Sequence, residues 1–240
     1  MRKIFLLLLA LPVLALAQDK NVLTITRVFP KADKVKQLEK AFGAHAQKYH
    51  KGDVIWRVST IETGPDAGGY SIVEGPTTWD NLDKRGDLGK AHTDDWDLNI
   101  QPLLTDKTFN AYVTFRQDLS TTLLTDYSDK YAVTHYFYKP GYRTEMEQLI
   151  AGLKKAWTDS EQYVAVYETS SSGEPQFIIV TRYKKGLKER EVGYRLPMAA
   201  TYAKVNGGEN AWEQYRNGLK QAVERQWSEM LVFKPELSSK

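Results

Sequence analysis

The chain contains no cysteine, which excludes disulfides, thiolate catalysis and Cys-ligated zinc or iron-sulfur sites. It also lacks a G-x-x-x-x-G-K-[ST] phosphate loop, an H-E-x-x-H helix and a G-x-S-x-G elbow, so the common NTPase, zinc-protease and serine-hydrolase readings fall away. Past residue 17 no apolar run approaches the ~20 residues that a membrane span requires. Charge of one sign is scarce: the net value is +3, and Arg2 and Lys3 account for most of it. Nucleic-acid binding would call for a concentrated basic face. The single basic cluster, residues 184–190, is interrupted by Glu189 and reads as a solvated loop.

Histidine is scarce too, with only His45, His50, His92 and His135. No nucleophile, acid-base pair or metal-ligating set is legible among the residue spacings, so the expectation is no metal, and no cofactor can be named. The glycine-rich stretch 64–69 joins two strand candidates and reads as a hairpin loop. The acidic group at 94–97 lacks the order of a calcium loop.

What is present begins with Arg2 and Lys3 ahead of an apolar run, residues 4–16, that ends in Ala15-Leu16-Ala17. That is the three-part grammar of a secretory signal peptide, with cleavage expected after Ala17 and a periplasmic or secreted destination. Pro12 interrupts the run and Gln18-Asp19-Lys20 follows it, which argues against a membrane anchor. The roughly 220 residues that remain suffice for one or two cores without covalent staples.

Those residues repeat one pattern. Residues 22–30, VLTITRVFP, and 132–140, AVTHYFYKP, both read as a strand stopped by proline. Each is followed by a helical stripe, Val35, Leu38, Phe42, His45 and Tyr49 in one case and Met146, Leu149, Leu153 and Ala156 in the other. Two further strands follow each helix, at 54–61 and 70–74 and again at 163–169 and 177–183, joined by turn-forming residues. A second helix is expected around 88–104 and 211–226, and a closing strand at 109–115 and 230–233. The order is β-α-β-β-α-β twice, an α+β class with two tandem ferredoxin-like units at 18–116 and 130–240, joined by a linker at 117–129. Two antiparallel sheets in one chain can pack face to face, burying Thr24, Thr26, Thr134, Tyr136 and Tyr138 between them. The second unit adds a long stretch, 184–210, of the kind that serves as a lid or binding loop.

In this order of elements the chain resembles the dimeric α+β barrel superfamily, which includes antibiotic-biosynthesis monooxygenase-like, EthD-like and NIPSNAP-like proteins. The resemblance spans most of 22–233 and rests on architecture. It implies two sheets forming one α+β barrel, and it brings in cofactor-free oxygenase or haem-binding and haem-handling activity as an alternative. No motif carries a catalytic residue of that superfamily onto a position here.

Site candidates come from polar groups on apolar stripes. His45 lies on the first helix with Leu38 and Phe42, and His92 shares a stripe with Trp96 and Ile100. Each is either a satisfied core histidine or a pocket residue. Arg27 alternates with Leu23, Ile25 and Phe29, and it needs a carboxylate, for which Glu74 is the expected partner. His50, just past the first helix, reads as an exposed cap. Together His45, His92, Trp96 and Arg27 outline a ligand-binding pocket between sheet and helices of the first unit, suited to a small apolar or aromatic molecule. His45 matches Ala156 in the other copy, so one unit at most carries the site. A structural or assembly role and a homo-oligomer stay open beside this.

Overall fold

The computed structural model describes residues 20–86 and 88–240. The expected signal peptide lies outside them. The first unit runs β1 (Val22–Pro30), α1 (Val35–Tyr49), β2 (Trp56–Ile61), β3 (Tyr70–Thr77), α2 (Trp79–Lys84), α3 (Lys90–Asp95) and β4 (Leu104–Phe115). The second runs β5 (Lys130–Tyr138), α4 (Arg143–Asp159), β6 (Tyr163–Ser170), β7 (Gln176–Arg182), α5 (Met198–Val205), α6 (Asn210–Ala222) and β8 (Val223–Phe233). No helix among the described residues is long and apolar enough to cross a membrane.

All eight strands close into one antiparallel barrel in the order β1-β3-β2-β8-β5-β7-β6-β4. Within a unit the ladders are long, as between β1 and β4 from Val22↔Thr114 to Pro30↔Leu104. The units meet through two shorter ladders, Ser59↔Phe233 to Ile61↔Leu231 and Tyr112↔Ser170 to Phe115↔Tyr167. The two sheets therefore share edges, and closure leaves no strand edge for another chain to pair with.

A closed sheet sorts its side chains to two sides. Outside, α1 lays Leu38, Phe42 and Ala46 on Val28, Val58, Tyr70 and Ile72. Each fully buried aliphatic or aromatic side chain of this kind stabilises by about 1.5–3 kcal/mol. On the second unit, α4, α5 and α6 cover a cluster that includes Tyr138, Ile150, Phe177, Tyr202 and Tyr215. Inside the barrel lie Leu23, Val113, Val133, Tyr167, Ile178 and Leu231. The faces are thus opposite to expectation for the opening strands. Tyr136 and Tyr138 pack under helices, while Arg27 and His135 point inward. Period-two alternation separates two sets but does not say which set goes inside; the partners that satisfy the charges do, and those lie in the barrel.

Other differences are of length. The second helix of the first unit is short and continues through a wide five-residue turn, Trp96–Ile100, and a 3-10 turn at Gln101–Leu103. Strands β4 and β8 begin at Leu104 and Val223, earlier than expected, because pairing with β1 and β5 extends them through polar residues. The 184–210 stretch supplies α5, which lies on the helices of its own unit and buries Thr201 and Tyr202. The segment expected as a linker holds no helix or strand and is tied to β6, through Val166 N to Ser120 Oγ at 2.9 Å and Val164 N to Thr121 Oγ at 2.9 Å.

The chain's last residues return to the first unit. Ser238 Oγ and Ser239 Oγ accept the backbone N–H groups of Val58 and Trp56, each at 2.9 Å. Gly43 on α1 makes room for this strap, since a Cβ there would meet the carbonyl oxygen of Glu236 at 2.6 Å. The first unit alone would lose this strap and expose the free edges of β2 and β4. A fragment of residues 18–120 is predicted to dimerise or aggregate; a well-behaved monomer in analytical ultracentrifugation would contradict the closed-barrel account.

Candidate metal centre

Three of the four histidines converge on the outer side of the first unit's sheet. His45 comes from the C-terminal half of α1, on the stripe that faces the sheet, and is fully buried. His50 is the C-cap of the same helix, its N–H donating to Ala46 O at 3.1 Å. His92 comes from α3 and is half-buried. Ring centroids lie 4.8 Å apart for His45 and His92, 5.2 Å for His45 and His50, and 5.3 Å for His50 and His92. One ring nitrogen from each can be chosen so that all three lie within 4.8 Å of one another.

Hydrogen bonds fix how two of these rings are used. His45 Nδ1 lies 2.7 Å from Asp95 Oδ2, and Asp95 Oδ1 accepts from Asn99 at 2.8 Å. His50 Nδ1 lies 3.1 Å from Val54 O and 3.3 Å from Glu74 Oε2. Gly52, at φ 62°, turns the chain sharply enough to bring that carbonyl back under the ring. A carbonyl and a carboxylate only accept, so both Nδ1 atoms carry a proton, and in the neutral ring Nε2 carries the lone pair. Those Nε2 atoms of His45 and His50 are buried without a hydrogen-bond partner. A buried acceptor left in this state costs about 1–3 kcal/mol.

The surroundings favour the neutral form of His45 and hold the rings in place. Burial pushes the His45 pKa below its ordinary value, the hydrogen bond to Asp95 opposes this, and His50 and His92 add to the depression. Donation from His45 keeps the Asp95 carboxyl below the usual range against the opposing effect of its burial. Trp56 stacks on His50 at 3.6 Å and donates its Nε1–H to Glu74 Oε2 at 2.9 Å, and Trp96 meets His45 edge-on at 5.8 Å.

The structure brings His45, His92 and Trp96 together and adds His50, which is 1% exposed and no exposed cap. No metal-ligating set was expected from the sequence, and the convergence itself was hidden there because residues distant in the chain meet only when α1 and α3 settle on one sheet. A pair of histidines bracketing a helix end was the available signal.

Arg27 does not join them. It points into the barrel, where its guanidinium pairs with Glu229 through Nη2 and through Nη1 at 3.0 Å, and with Asp66 at 2.7 Å. Glu229 also bonds His135 Nε2 at 3.1 Å, and His135 Nδ1 bonds Gln176 at 2.8 Å. Glu74, the expected partner, sits opposite Thr24 in the β1–β3 ladder, and directly opposed residues share a face. It therefore reaches His50, Trp56 and Arg85 on the outer side.

A haem group does not fit these residues. An axial imidazole needs an open plane for the porphyrin, yet His45 and His50 are enclosed by Trp56, Trp96 and each other. His135 has both ring nitrogens engaged and is stacked on Trp227 at 3.9 Å, and the helix-covered core of the second unit contains no histidine.

No family model and no curated protein matches the chain in sequence. Solved structures match its fold. An anthrone oxidase-like protein shares 11% identity over 90% of this chain and 92% of its own, with a TM-score of 0.57. A proposed monooxygenase of Lactobacillus acidophilus NCFM shares 10% over 92% and 97%, with a TM-score of 0.54. Chlorite dismutase from Candidatus Nitrospira defluvii, solved with imidazole, shares 8% over 92% and 94%, with a TM-score of 0.51. The resemblance to the dimeric α+β barrel superfamily holds as one of fold.

Replacing Glu229 with Gln keeps the volume but leaves Asp66 as the one carboxylate bonded to Arg27. The expected loss is about 3 kcal/mol in urea unfolding. A loss below about 1 kcal/mol would show that the barrel network contributes little to stability.

Proposed function

We propose that this protein is an exported metal-binding protein that holds one divalent transition-metal ion on His45, His50 and His92, with a coordination position left for water or a small molecule. The observation that carries the reading is the pair of buried, unpartnered Nε2 lone pairs on His45 and His50, converged on the His92 ring. Metal-ligating histidines characteristically donate their other N–H to a carboxylate or a backbone carbonyl, and Asp95 and Val54 stand in those roles. Imidazole suits zinc, copper, iron and nickel, and a set of three protein ligands is the open, catalytic pattern.

The residues divide the work. Asp95 and Val54 fix the tautomers of His45 and His50, and Trp56 holds the His50 plane. Phe42, Trp56 and Trp96 give the site apolar walls, the environment first expected for a small apolar or aromatic ligand. A bound ion would supply Lewis-acid or redox chemistry at its open position. For this chain the enzyme reading rests on that position, and the oxidase and dismutase names of its structural relatives add only that the fold accommodates such enzymes.

The test is calorimetric titration of chelator-stripped protein, residues 18–240, with Zn²⁺ and Cu²⁺. One equivalent is expected to bind, and His45→Ala or His50→Ala should weaken it by more than ~100-fold, while Asp95→Asn costs ~10–100-fold. Absence of binding, or binding that the two histidine variants leave unchanged, would overturn the proposal. The apo variants' melting temperatures show separately whether a substitution has damaged the fold.

A further inference from the structure

The barrel interior holds a second feature, on the opposite face of the sheet from the histidines. A cavity of about 100 Å³ is lined by Leu23, Ile25, Val73, Val133, Ile178 and Val180 together with three arginines, the paired Arg27 and also Arg57 and Arg182, neither of which has Arg27's partners. Neither Arg57 nor Arg182 forms an ion pair with a carboxylate among the described residues. Arg57 is sandwiched between rings, with its guanidinium carbon 3.8 Å from the Tyr127 centroid and 4.0 Å from that of Phe233. Its N–H groups make no hydrogen bond to the described residues. Arg182, 4% exposed, spends its donors on neutral oxygens: Leu123 O at 2.8 Å, Asp126 O at 2.6 Å, Leu124 O at 3.0 Å and Tyr167 Oη at 3.1 Å.

Two guanidinium charges thus face one small space without a direct ion pair among the described residues. Arg27, by contrast, has both Glu229 and Asp66. The carboxylates of Asp129 and Asp126 act on Arg57 and Arg182, respectively, only through space, and that of Asp126 is engaged by Lys184 and by Thr122 Oγ1 at 2.7 Å. Burial pushes the Tyr167 hydroxyl up to about 12, so it stays protonated; it accepts from Arg182 and keeps its own proton to donate. Unpaired buried charge is costly, and an anionic ligand would remove that cost.

We propose that the barrel interior binds a short monocarboxylate, its carboxylate on the Arg57 guanidinium and the Tyr167 hydroxyl, with the Arg182 charge behind that hydroxyl, and its apolar tail against Ile25, Val73 and Val180. The guanidinium fork matches a carboxylate in geometry. The walls select for a hydrocarbon tail over an inorganic anion. The size limits that tail, since a cavity that takes benzene measures about 150 Å³ and this one is smaller. The site does not depend on the metal centre, from which the sheet separates it.

Ligand titrations followed by NMR or calorimetry on residues 18–240 test this with butyrate, butyramide, benzoate and inorganic phosphate. Butyrate should bind about 10-fold or more tightly than butyramide, which has the same shape without the charge. Arg57→Gln should weaken butyrate binding by about 10-fold or more, and butyrate should raise the melting temperature of the wild type more than that of the variant. Benzoate should bind more weakly than butyrate. Equal affinity for butyrate and butyramide, phosphate binding as tight as butyrate, or butyrate binding unaffected by Arg57→Gln would each overturn the proposal. If Arg57→Gln fails to fold, the butyrate and butyramide comparison on the wild type decides alone.

Discussion

Closure of the sheet is the constraint on which the other features rest. Two short ladders, β2 with β8 and β4 with β6, convert two four-stranded sheets into one barrel. Once the sheet is closed, each strand residue faces either the interior or the outer side, and buried polar groups must find partners on the side to which the alternation sends them. Arg27 goes inward and meets Glu229, Asp66 and His135 from three other strands or loops. Glu74 goes outward and meets His50 and Trp56. The same sheet therefore separates a cluster of imidazoles from a cluster of charges only one strand's thickness away.

The two units use this frame unequally. Beneath α1 and α3 the outer core contains three imidazoles with two tryptophans, whereas beneath α4, α5 and α6 it contains Tyr138, Phe177, Tyr202 and Tyr215. Ala156 on α4 and His45 on α1, the positions matched by the sequence pattern, are both fully buried. The additional helix α5 accounts for part of the difference, because it brings Tyr202 onto α4 and fills the space that an open site would need. The second unit closes the barrel, ties its last residues to α1 and contributes Glu229, Arg182 and Tyr167 to the interior, while the imidazole cluster belongs to the first.

Element order was legible in the sequence because it depends on local signals. Strand-proline-helix openings, turn-rich hairpins and three-four stripes on the helices each act within a few residues. The pairing of His45 with His92 was legible for the same reason, since each lies on a stripe bound to face the sheet. What was not legible depends on register and sidedness. The partner of Arg27 was misassigned because Glu74 is opposite Thr24, a fact fixed by hydrogen-bond register between strands distant in sequence. His50 was read as exposed because nothing near it in the chain shows that Trp56 and Glu74 will fold over it. The early starts of β4 and β8 were hidden by polar residues that pair without being buried.

The central claim is that His45, His50 and His92 bind one metal ion together through their imidazole nitrogens. X-ray absorption fine structure on protein carrying one equivalent of Zn²⁺ addresses the ligand set itself. The account predicts three imidazole nitrogens at about 2.0–2.1 Å with one further oxygen ligand, and loss of one imidazole shell in His50→Ala. A first shell made mainly of carboxylate oxygens, or one with an imidazole count that His50→Ala leaves unchanged, would contradict it.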